Sequence, residues 1–241
     1  MQRYPYCFLI LLLFSNIAWG ELSFRRHFSL GGQFTAGNSE INSLNFDFLL
    51  NRNNKWIDEL TVKGSFDQQA TSGTATRFKV GSSIRYACSL TKQTYYYYML
   101  EAEHDRFQDI DLRLLPTIGA GYWFADQAGF AAMIEGAIGY QRQQQLDNSV
   151  EENTILAAVS SLSWGSLANS FNLYVLSGDL SNYRFTNALN YHLKLNDHYA
   201  VKWALKDEYN SKPAGGVKKN DFSFITSIEY DFHQKIKQTT M

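Results

Sequence analysis

The feature that most constrains the fold of this chain is a strict two-residue alternation near its C-terminus, over residues 221–232. Its large side chains on one face are Phe222, Phe224, Ile228, Tyr230 and Phe232. Because successive side chains of a β-strand point to opposite faces, the run predicts a strand with one apolar and one mostly polar surface. An apolar face that is rich in aromatic residues and ends on one is typical of the closing strand of an outer-membrane β-barrel.

Residues 1–20 have the features of a cleaved export signal. Arg3 gives a positive start, residues 8–14 form an apolar run, and the small residues Ala18 and Gly20 precede the expected cleavage point. The run is much shorter than the ~20 residues that a membrane helix needs. Cys7 lies before the apolar run, so we expect no lipoprotein acylation. Cleavage after Gly20 leaves Cys88 as the one cysteine, which excludes an intramolecular disulfide.

Composition limits the class of protein further. No apolar stretch approaches the length of a membrane helix, which excludes a helical membrane protein. The formal net charge is -1 and no stripe of basic residues is present, so we expect no nucleic-acid partner.

Alternation between turn signals predicts twelve strands. Their approximate ranges are 27–36, 43–50, 56–66, 77–87, 95–105, 112–124, 130–141, 154–164, 170–176, 184–195, 199–209 and 221–232. About 18 residues per strand and connection suit a strand of ~9–11 residues in the membrane plus a turn. The sequence therefore predicts an all-β fold, a single 12-stranded antiparallel transmembrane β-barrel over residues 21–232, followed by a periplasmic tail over residues 233–241.

An even number of strands places both termini on the periplasmic side, where connections should be short. Longer external loops are predicted over residues 68–76, 142–153 and 211–220. We also expect aromatic residues to form a girdle at the periplasmic ends of the strands. These residues are Trp56, Tyr95, Tyr96, Tyr97, Tyr98, Trp123, Phe124, Phe130, Trp164, Phe171, Tyr199, Trp203, Tyr230 and Phe232.

Alternation also assigns charged side chains to the inside of the barrel. The candidates are Lys63, Arg77, Lys79, Arg85, Glu101, Glu103, Asp105, Arg113, Glu135, His192, Lys202, Lys206, Glu208 and Glu229. A barrel of about twelve strands has an interior between that of filled eight-stranded barrels and that of open porins. Two interpretations remain: the charges fill the lumen with salt bridges, or they line a narrow water-filled channel.

Signatures of an enzyme or a metal site are weak. A Ser-His-Asn arrangement of the outer-membrane phospholipase type needs a Ser two positions from its His, but Lys194 stands at that distance from His192. His104 and Asp105 are adjacent, so they point to opposite faces of a strand. Five dispersed histidines and Cys88 make no cluster with metal-ligand spacing. We expect no catalytic activity, no metal and no cofactor, with an outer-membrane hydrolase as the third and weakest hypothesis.

Residues 103–122, which read EHDRFQDIDLRLLPTIGAGY, are the most distinctive segment. Together with Gly37-Asn38-Ser39 and the run EGAIGY at residues 135–140, this segment resembles a family of Gram-negative outer-membrane proteins labelled domain of unknown function 481. Some members are described as salt-stress-induced. The resemblance implies a β-barrel in the outer membrane, and suggests a narrow channel or an envelope-integrity protein linked to salt or osmotic stress. The alternative is a closed-lumen structural barrel that acts through its external loops.

Two local hypotheses concern the distinctive segment. Asp105 and Arg113 both face inward beside a short hairpin, so we expect them to pair across neighbouring strands. Gly119 and Gly121 also face inward and should leave room for Tyr95 and Tyr97.

The terminal strand predicts how the protein is assembled. Its alternating aromatic face, ending at Phe232, resembles the signal that the outer-membrane assembly machinery reads. We therefore expect the barrel assembly machinery, periplasmic chaperones, outer-membrane lipid and lipopolysaccharide as partners, and a monomeric barrel.

Overall fold

The computed structural model describes residues 22–35, 41–54, 57–71, 73–213 and 218–236. Within these residues twelve strands form one closed antiparallel barrel. The strands are β1 Leu22–Thr35, β2 Ile41–Asn54, β3 Asp58–Thr71, β4 Thr74–Ser89, β5 Thr94–Asp105, β6 Ile110–Gln127, β7 Phe130–Gln144, β8 Val150–Trp164, β9 Leu167–Leu176, β10 Asp179–Lys194, β11 Tyr199–Asn210 and β12 Asn220–Ile236. Each strand pairs with its sequence neighbours, and β1 pairs with β12. The predicted twelve-stranded barrel is confirmed.

The closing pair of strands is longer than the sequence suggests. β12 continues past Phe232 to Ile236, and its pairing with β1 runs from Leu22 opposite Ile236 to Gly32 opposite Thr226. The first four residues of the predicted tail therefore belong to the barrel, because the start of β1 supplies partners for their backbone groups. The predicted export signal, the predicted turn over residues 37–40 and Trp56 lie outside the described residues.

The terminal strand shows the predicted separation of its two faces. Phe222 and Ile228 are 65% and 61% exposed on the outer face, whereas Ser227 and Glu229 are 3% and 4% exposed on the inner face. Other strands carry the same outer belt of exposed apolar side chains, including Leu30, Leu44, Ile84, Leu100, Ile118, Ile134, Leu156, Leu189 and Leu205.

This outer belt indicates that the barrel is surrounded by lipid rather than by water. Leaving so much apolar surface in water would cost about 25 cal/mol per Å². A bilayer removes that cost, and a closed barrel leaves no unpaired strand edge in the lipid. The fold is therefore that of a transmembrane barrel. None of the helices among the described residues has the length and hydropathy to cross a bilayer.

The aromatic girdle is confirmed only for part of its predicted members. Phe124, Phe130, Trp164 and Tyr199 are exposed on the outer face near the short connections. Tyr95, Tyr97 and Trp123 were predicted for the same girdle and instead lie inside, where they pack around Ala87 in a small apolar cluster. The reason is alternation itself, which sends two of four consecutive tyrosines into the lumen.

The glycines of β6 make room for these internal tyrosines, as predicted. A Cβ atom added to Gly121 would lie 2.3 Å from the Tyr95 ring, and one added to Gly119 would lie 2.6 Å from the Tyr97 ring. Both distances are far below van der Waals contact. The two glycines therefore determine where the rings sit.

Two of the three predicted external loops are shorter than predicted, whereas the connection between β11, which ends at Asn210, and β12, which begins at Asn220, has nearly the predicted bounds. β3 and β4 stay paired to Thr71 and Thr74, so most of the predicted loop over residues 68–76 is strand. β7 and β8 are paired out to Gln144 and Val150, which leaves only residues 145–149 of the predicted loop 142–153 outside the sheet. In both hairpins the strands continue beyond the apolar belt, because their backbone N–H and C=O groups form hydrogen bonds with each other there.

Candidate functional site

The inside of the barrel contains a cavity of about 1410 Å³. We call the end of the barrel where β1 begins and β12 ends the periplasmic end. There the cavity is bordered by Thr91 and Gln93 of the β4–β5 connection. At the external end it is bordered by Lys218 and Lys219, just before β12. The cavity therefore reaches both ends of the barrel. Its lining includes eleven of the predicted lumen residues: Lys63, Arg77, Lys79, Arg85, Glu101, Glu103, Asp105, Arg113, Glu135, Lys206 and Glu208.

An ion-pair network crosses the external half of this cavity. Arg77 on β4 pairs with Asp67 on β3, and across the lumen with Glu208 on β11 and Asp221 on β12. Along the barrel wall five steps separate β4 from β11. Lys79 reinforces the crossing, since its Nζ atom lies 3.3 Å from Glu103 and 3.5 Å from Glu208. We call this set the external network.

The external network continues along the wall through Arg113 on β6. Its Nη1 atom lies 2.7 Å from Glu103, directly opposite on β5, and its Nε atom donates to Gln143 on β7 at 2.9 Å. The predicted pairing of Asp105 with Arg113 is therefore wrong.

Asp105 instead caps the one-turn helix Arg106–Gln108. Its carboxylate accepts hydrogen bonds from the backbone N–H groups of Phe107 and Gln108 at 3.1 and 3.2 Å. A bulge after Glu103 displaces Asp105 from its predicted register, and an N-cap carboxylate is strongly favoured at a helix start.

A second arrangement occupies the periplasmic half. Glu135 on β7 lies 2.5 Å from Arg85 on β4 and accepts a hydrogen bond from the Tyr95 hydroxyl at 2.6 Å. The Arg85 guanidinium also lies over the Tyr97 ring, 4.5 Å from its centroid. These contacts narrow the cavity beside the internal aromatic cluster.

The remaining three predicted lumen residues, His192, Lys202 and Glu229, are not in the lining of the cavity. Glu229 on β12 lies 2.7 Å from His192, 3.2 Å from Lys202 and 3.3 Å from His27 on β1. They form a periplasmic cluster on neighbouring strands. No group of three or more His, Cys, Asp or Glu side chains in the described part of the chain is arranged to hold a metal ion.

Several lining residues were missed by sequence reasoning. Arg184 on β10, Tyr174 on β9 and Gln141 on β7 all face the interior. The ninth predicted strand, which contains Tyr174, is too short for alternation to assign its faces. Arg184 is the first residue of the tenth predicted strand, where the alternation has only begun. Arg184 follows a register shift between Asp179 and Tyr183, so simple alternation from the hairpin would not have placed it. Gln141 has the inward parity of Glu135, which was the available signal.

A closed twelve-stranded barrel with an apolar outer belt and a charged interior defines this protein as a transmembrane β-barrel. The chain belongs to the family described as protein of unknown function, DUF481, whose profile matches residues 28–232. The resemblance in the sequence is thus confirmed. No curated protein matches the chain.

Several solved structures have a similar fold. A NanC porin is 12% identical, with 87% of this chain and 97% of that chain covered and a TM-score of 0.49. An outer membrane channel from Pseudomonas putida is 8% identical, with 90% and 97% covered and a TM-score of 0.46. The translocator domain of the autotransporter NalP from Neisseria meningitidis is 11% identical, with 93% and 92% covered and a TM-score of 0.45. At these identities the likeness is one of fold.

Proposed function

We propose that this protein is a narrow outer-membrane channel for small polar solutes. The observation that supports this function is the cavity that borders Thr91 and Gln93 at one end of the barrel and Lys218 and Lys219 at the other. A lumen filled by its salt bridges would be divided into separate cavities. A continuous polar cavity in a membrane barrel is the arrangement that lets hydrated solutes pass.

The charges favour a channel with weak selectivity between cations and anions. Among the described residues, the cavity borders eleven Lys or Arg and ten Asp or Glu side chains, and many of them pair with each other. Fixed charges that are nearly balanced leave little net potential to favour one sign of ion. The Arg77 crossing restricts the width, so we expect a small conductance.

Export and assembly complete the proposal. We infer that residues 1–20 direct export and are cleaved, and that the barrel assembly machinery and periplasmic chaperones insert the chain into outer-membrane lipid and lipopolysaccharide as a monomer. The apolar belt and the paired ends of β1 and β12 fit that route. We place the channel in the envelope response to salt or osmotic stress, on the strength of the family resemblance.

We propose a passive role and no catalysis. Two carboxylates of the lumen are each held by two cations: Glu103 pairs with Lys79 and Arg113, and Glu208 pairs with Arg77 and Lys206. Groups held in this way serve the wall of a channel better than they serve proton transfer.

The test is single-channel conductance of the refolded mature protein in a planar bilayer, with folding checked by heat-modifiable migration on a gel. We expect steps of reproducible size and weak ion selectivity. Replacing Ser83, which borders the cavity, by Trp should reduce the steps roughly twofold or more. The matched control is Ser82→Trp, on the outer face of the same strand, which should leave them unchanged. A folded protein that never conducts would instead support a closed barrel that acts through its external surface.

A further inference from the structure

A second cavity lies beside the lumen at the external end. Its volume is about 330 Å³, and side chains of β6 to β11 border it. Arg113, Tyr174, Arg184, Gln108 and Asn210 line both this cavity and the main one, so the two communicate. We call the smaller cavity the vestibule. A volume above ~300 Å³ is enough for a small-molecule ligand.

Side-chain amides dominate the wall of the vestibule. They belong to Gln108, Gln141, Gln143, Gln145, Asn153, Asn182 and Asn210. An amide presents both donors and an acceptor, which complements the hydroxyl groups of a polyhydroxylated solute. A wall that only had to conduct ions would have no need of so many such groups.

Arg184 is a cation whose in-plane donors are open. Its guanidinium lies over the Tyr174 ring, 4.8 Å from the centroid, and no carboxylate of the described residues forms an ion pair with it. The stacked ring covers one face of the guanidinium and leaves its N–H groups free to meet a planar anion. The Tyr174 hydroxyl in turn donates to Glu101 at 3.2 Å, which fixes the ring.

Among the described residues, the wall of the vestibule carries three cations, Arg113, Arg184 and Lys212, against two carboxylates, and the lumen carboxylates Glu101 and Glu103 also interact electrostatically with Arg184. Arg113 uses Nε and Nη1 on Gln143 and Glu103, which leaves its other terminal nitrogen for a ligand. Lys212, which also borders the vestibule, pairs with Asp179 at the start of β10. The acidic groups on the vestibule wall are Asp109 and Glu151, and Glu151 is exposed and accepts a hydrogen bond from Gln145 at 2.9 Å.

Gln141 offers an unengaged side-chain amide to the vestibule. Its side chain is only 7% exposed, borders the vestibule and has no hydrogen-bond partner among the described residues. Because this amide borders the open cavity and is bonded to no protein group among the described residues, a hydroxyl group that enters the vestibule can pair with it without breaking an existing contact.

We propose that the vestibule binds a small solute that carries one carboxylate and several hydroxyl groups. Arg184 and Arg113 take the carboxylate, since a guanidinium matches its two oxygens, and Gln141 with the neighbouring amides takes the hydroxyls. The physiological role of this site rests on the proposed channel, because the bound solute would be the kind of solute that the channel passes. Binding itself does not require conduction.

The test is isothermal titration calorimetry of the folded full-length mature protein in detergent micelles, with sodium gluconate as the probe. Sorbitol has the same carbon chain without the carboxylate, and inorganic phosphate is an anion without the polyol. We expect gluconate to bind at least tenfold more tightly than either. Arg184→Gln should weaken gluconate binding tenfold or more, and Gln141→Leu should weaken it several-fold. Arg142→Gln, which removes an exposed charge outside both cavities, is the matched control and should have no effect.

The outcomes separate this inference from the proposed function. Equal binding of sorbitol and gluconate, or undiminished binding to Arg184→Gln, would overturn the site. Phosphate that binds as tightly as gluconate would overturn the role of the amides. The comparison of the three solutes uses the unmodified protein, so a variant that fails to fold leaves the test intact. A protein that conducts but does not bind gluconate loses the site and keeps the channel, whereas one that binds but does not conduct loses the channel and keeps the site.

Discussion

Arg77 on β4 and Glu208 on β11 form an ion pair across the lumen, although they are 131 positions apart in the chain and five steps apart around the barrel. The same guanidinium also pairs with Asp67 and Asp221. One side chain thus links the pair β3 and β4 to the pair β11 and β12, which the backbone hydrogen bonds connect only through other strands. Because this side chain spans the lumen, we expect the crossing to restrict the external half.

Removing the crossing should widen the channel and weaken the barrel. We expect Arg77→Gln to raise single-channel conductance and to lower the free energy of unfolding by about 1–3 kcal/mol, less than the 3–5 typical of a fully buried pair because the lumen is wet. Urea unfolding in lipid vesicles measures the second effect. A double-mutant cycle with Glu208→Gln should give a coupling energy well above zero, and Arg142→Gln should change neither quantity. Unchanged conductance in Arg77→Gln would show that the constriction lies elsewhere.

The contact between Gly121 and Tyr95 predicts a large effect from a single methyl group. Gly121→Ala should lower the free energy of unfolding by about 1–3 kcal/mol, because the new Cβ atom overlaps the ring. Gly136→Ala is the control, since a Cβ atom there meets nothing within 4 Å. Shortening the ring partner in Gly121→Ala with Tyr95→Leu should recover part of the loss. Equal stability of the two alanine variants would contradict the proposed packing.

The end of β12 should matter for assembly through one aromatic side chain. We expect Phe232→Ala to slow insertion in the presence of the assembly machinery, measured as the rate at which the heat-modifiable folded form appears. Phe222→Ala, at the external end of the same outer face, is the matched control. Deleting residues 237–241 should leave the rate unchanged, whereas deleting residues 233–241 also removes strand pairing with β1 and should reduce it. The idea fails if both phenylalanine variants insert equally fast.

The β7–β8 connection should keep its turn in acid. The side chain and the backbone N–H of Ser149 both bond to the Asp147 carboxylate, the N–H at 2.8 Å, and these bonds lower the pKa of that carboxyl below its ordinary value of about 3.9. A lowered pKa in the folded state means that the contribution to stability is present above the ordinary value and is lost as the pH falls through the lowered one.

Carboxyl NMR with labelled aspartate in micelles measures this effect. Ser149→Ala should raise the pKa of Asp147 toward the ordinary value, because the hydroxyl contribution is removed. No shift of Asp147 in the variant would show that the hydroxyl does not contribute.

The sequence predicted the strands well because their signal is local. Alternation in a run such as residues 221–232 depends only on which residues are apolar, and it is the same in the isolated segment as in the barrel. The partners of the inward charges are a different matter. Whether Arg77 meets Glu208 depends on strand tilt and stagger, which set the height of every residue in the closed barrel. Neither quantity is visible in the alternation.

The errors came from positions where alternation is interrupted or competes with another interaction. Asp105 follows a bulge and caps a short helix, so it was not available to Arg113. Arg184 follows an irregular hairpin. Tyr95 and Tyr97 were assigned to the girdle because they are aromatic, although alternation along β5 places their side chains inside the barrel. The vestibule could therefore be predicted only in part: Arg113 and Gln141 have inward parity, whereas Arg184 follows the irregular hairpin.

Because the Arg77 side chain crosses the lumen, the width of the proposed pore need not follow the diameter of the barrel. In a hollow barrel the diameter follows from the number of strands, so a different aperture requires a different architecture. In the proposed channel the aperture depends instead on the Arg77 side chain, which starts from β4 and pairs with β11 and β12 across the lumen, so a single substitution is expected to change it. Barrels with the same number of strands could then differ in the solutes that they pass, with no change to the outer surface that contacts the membrane.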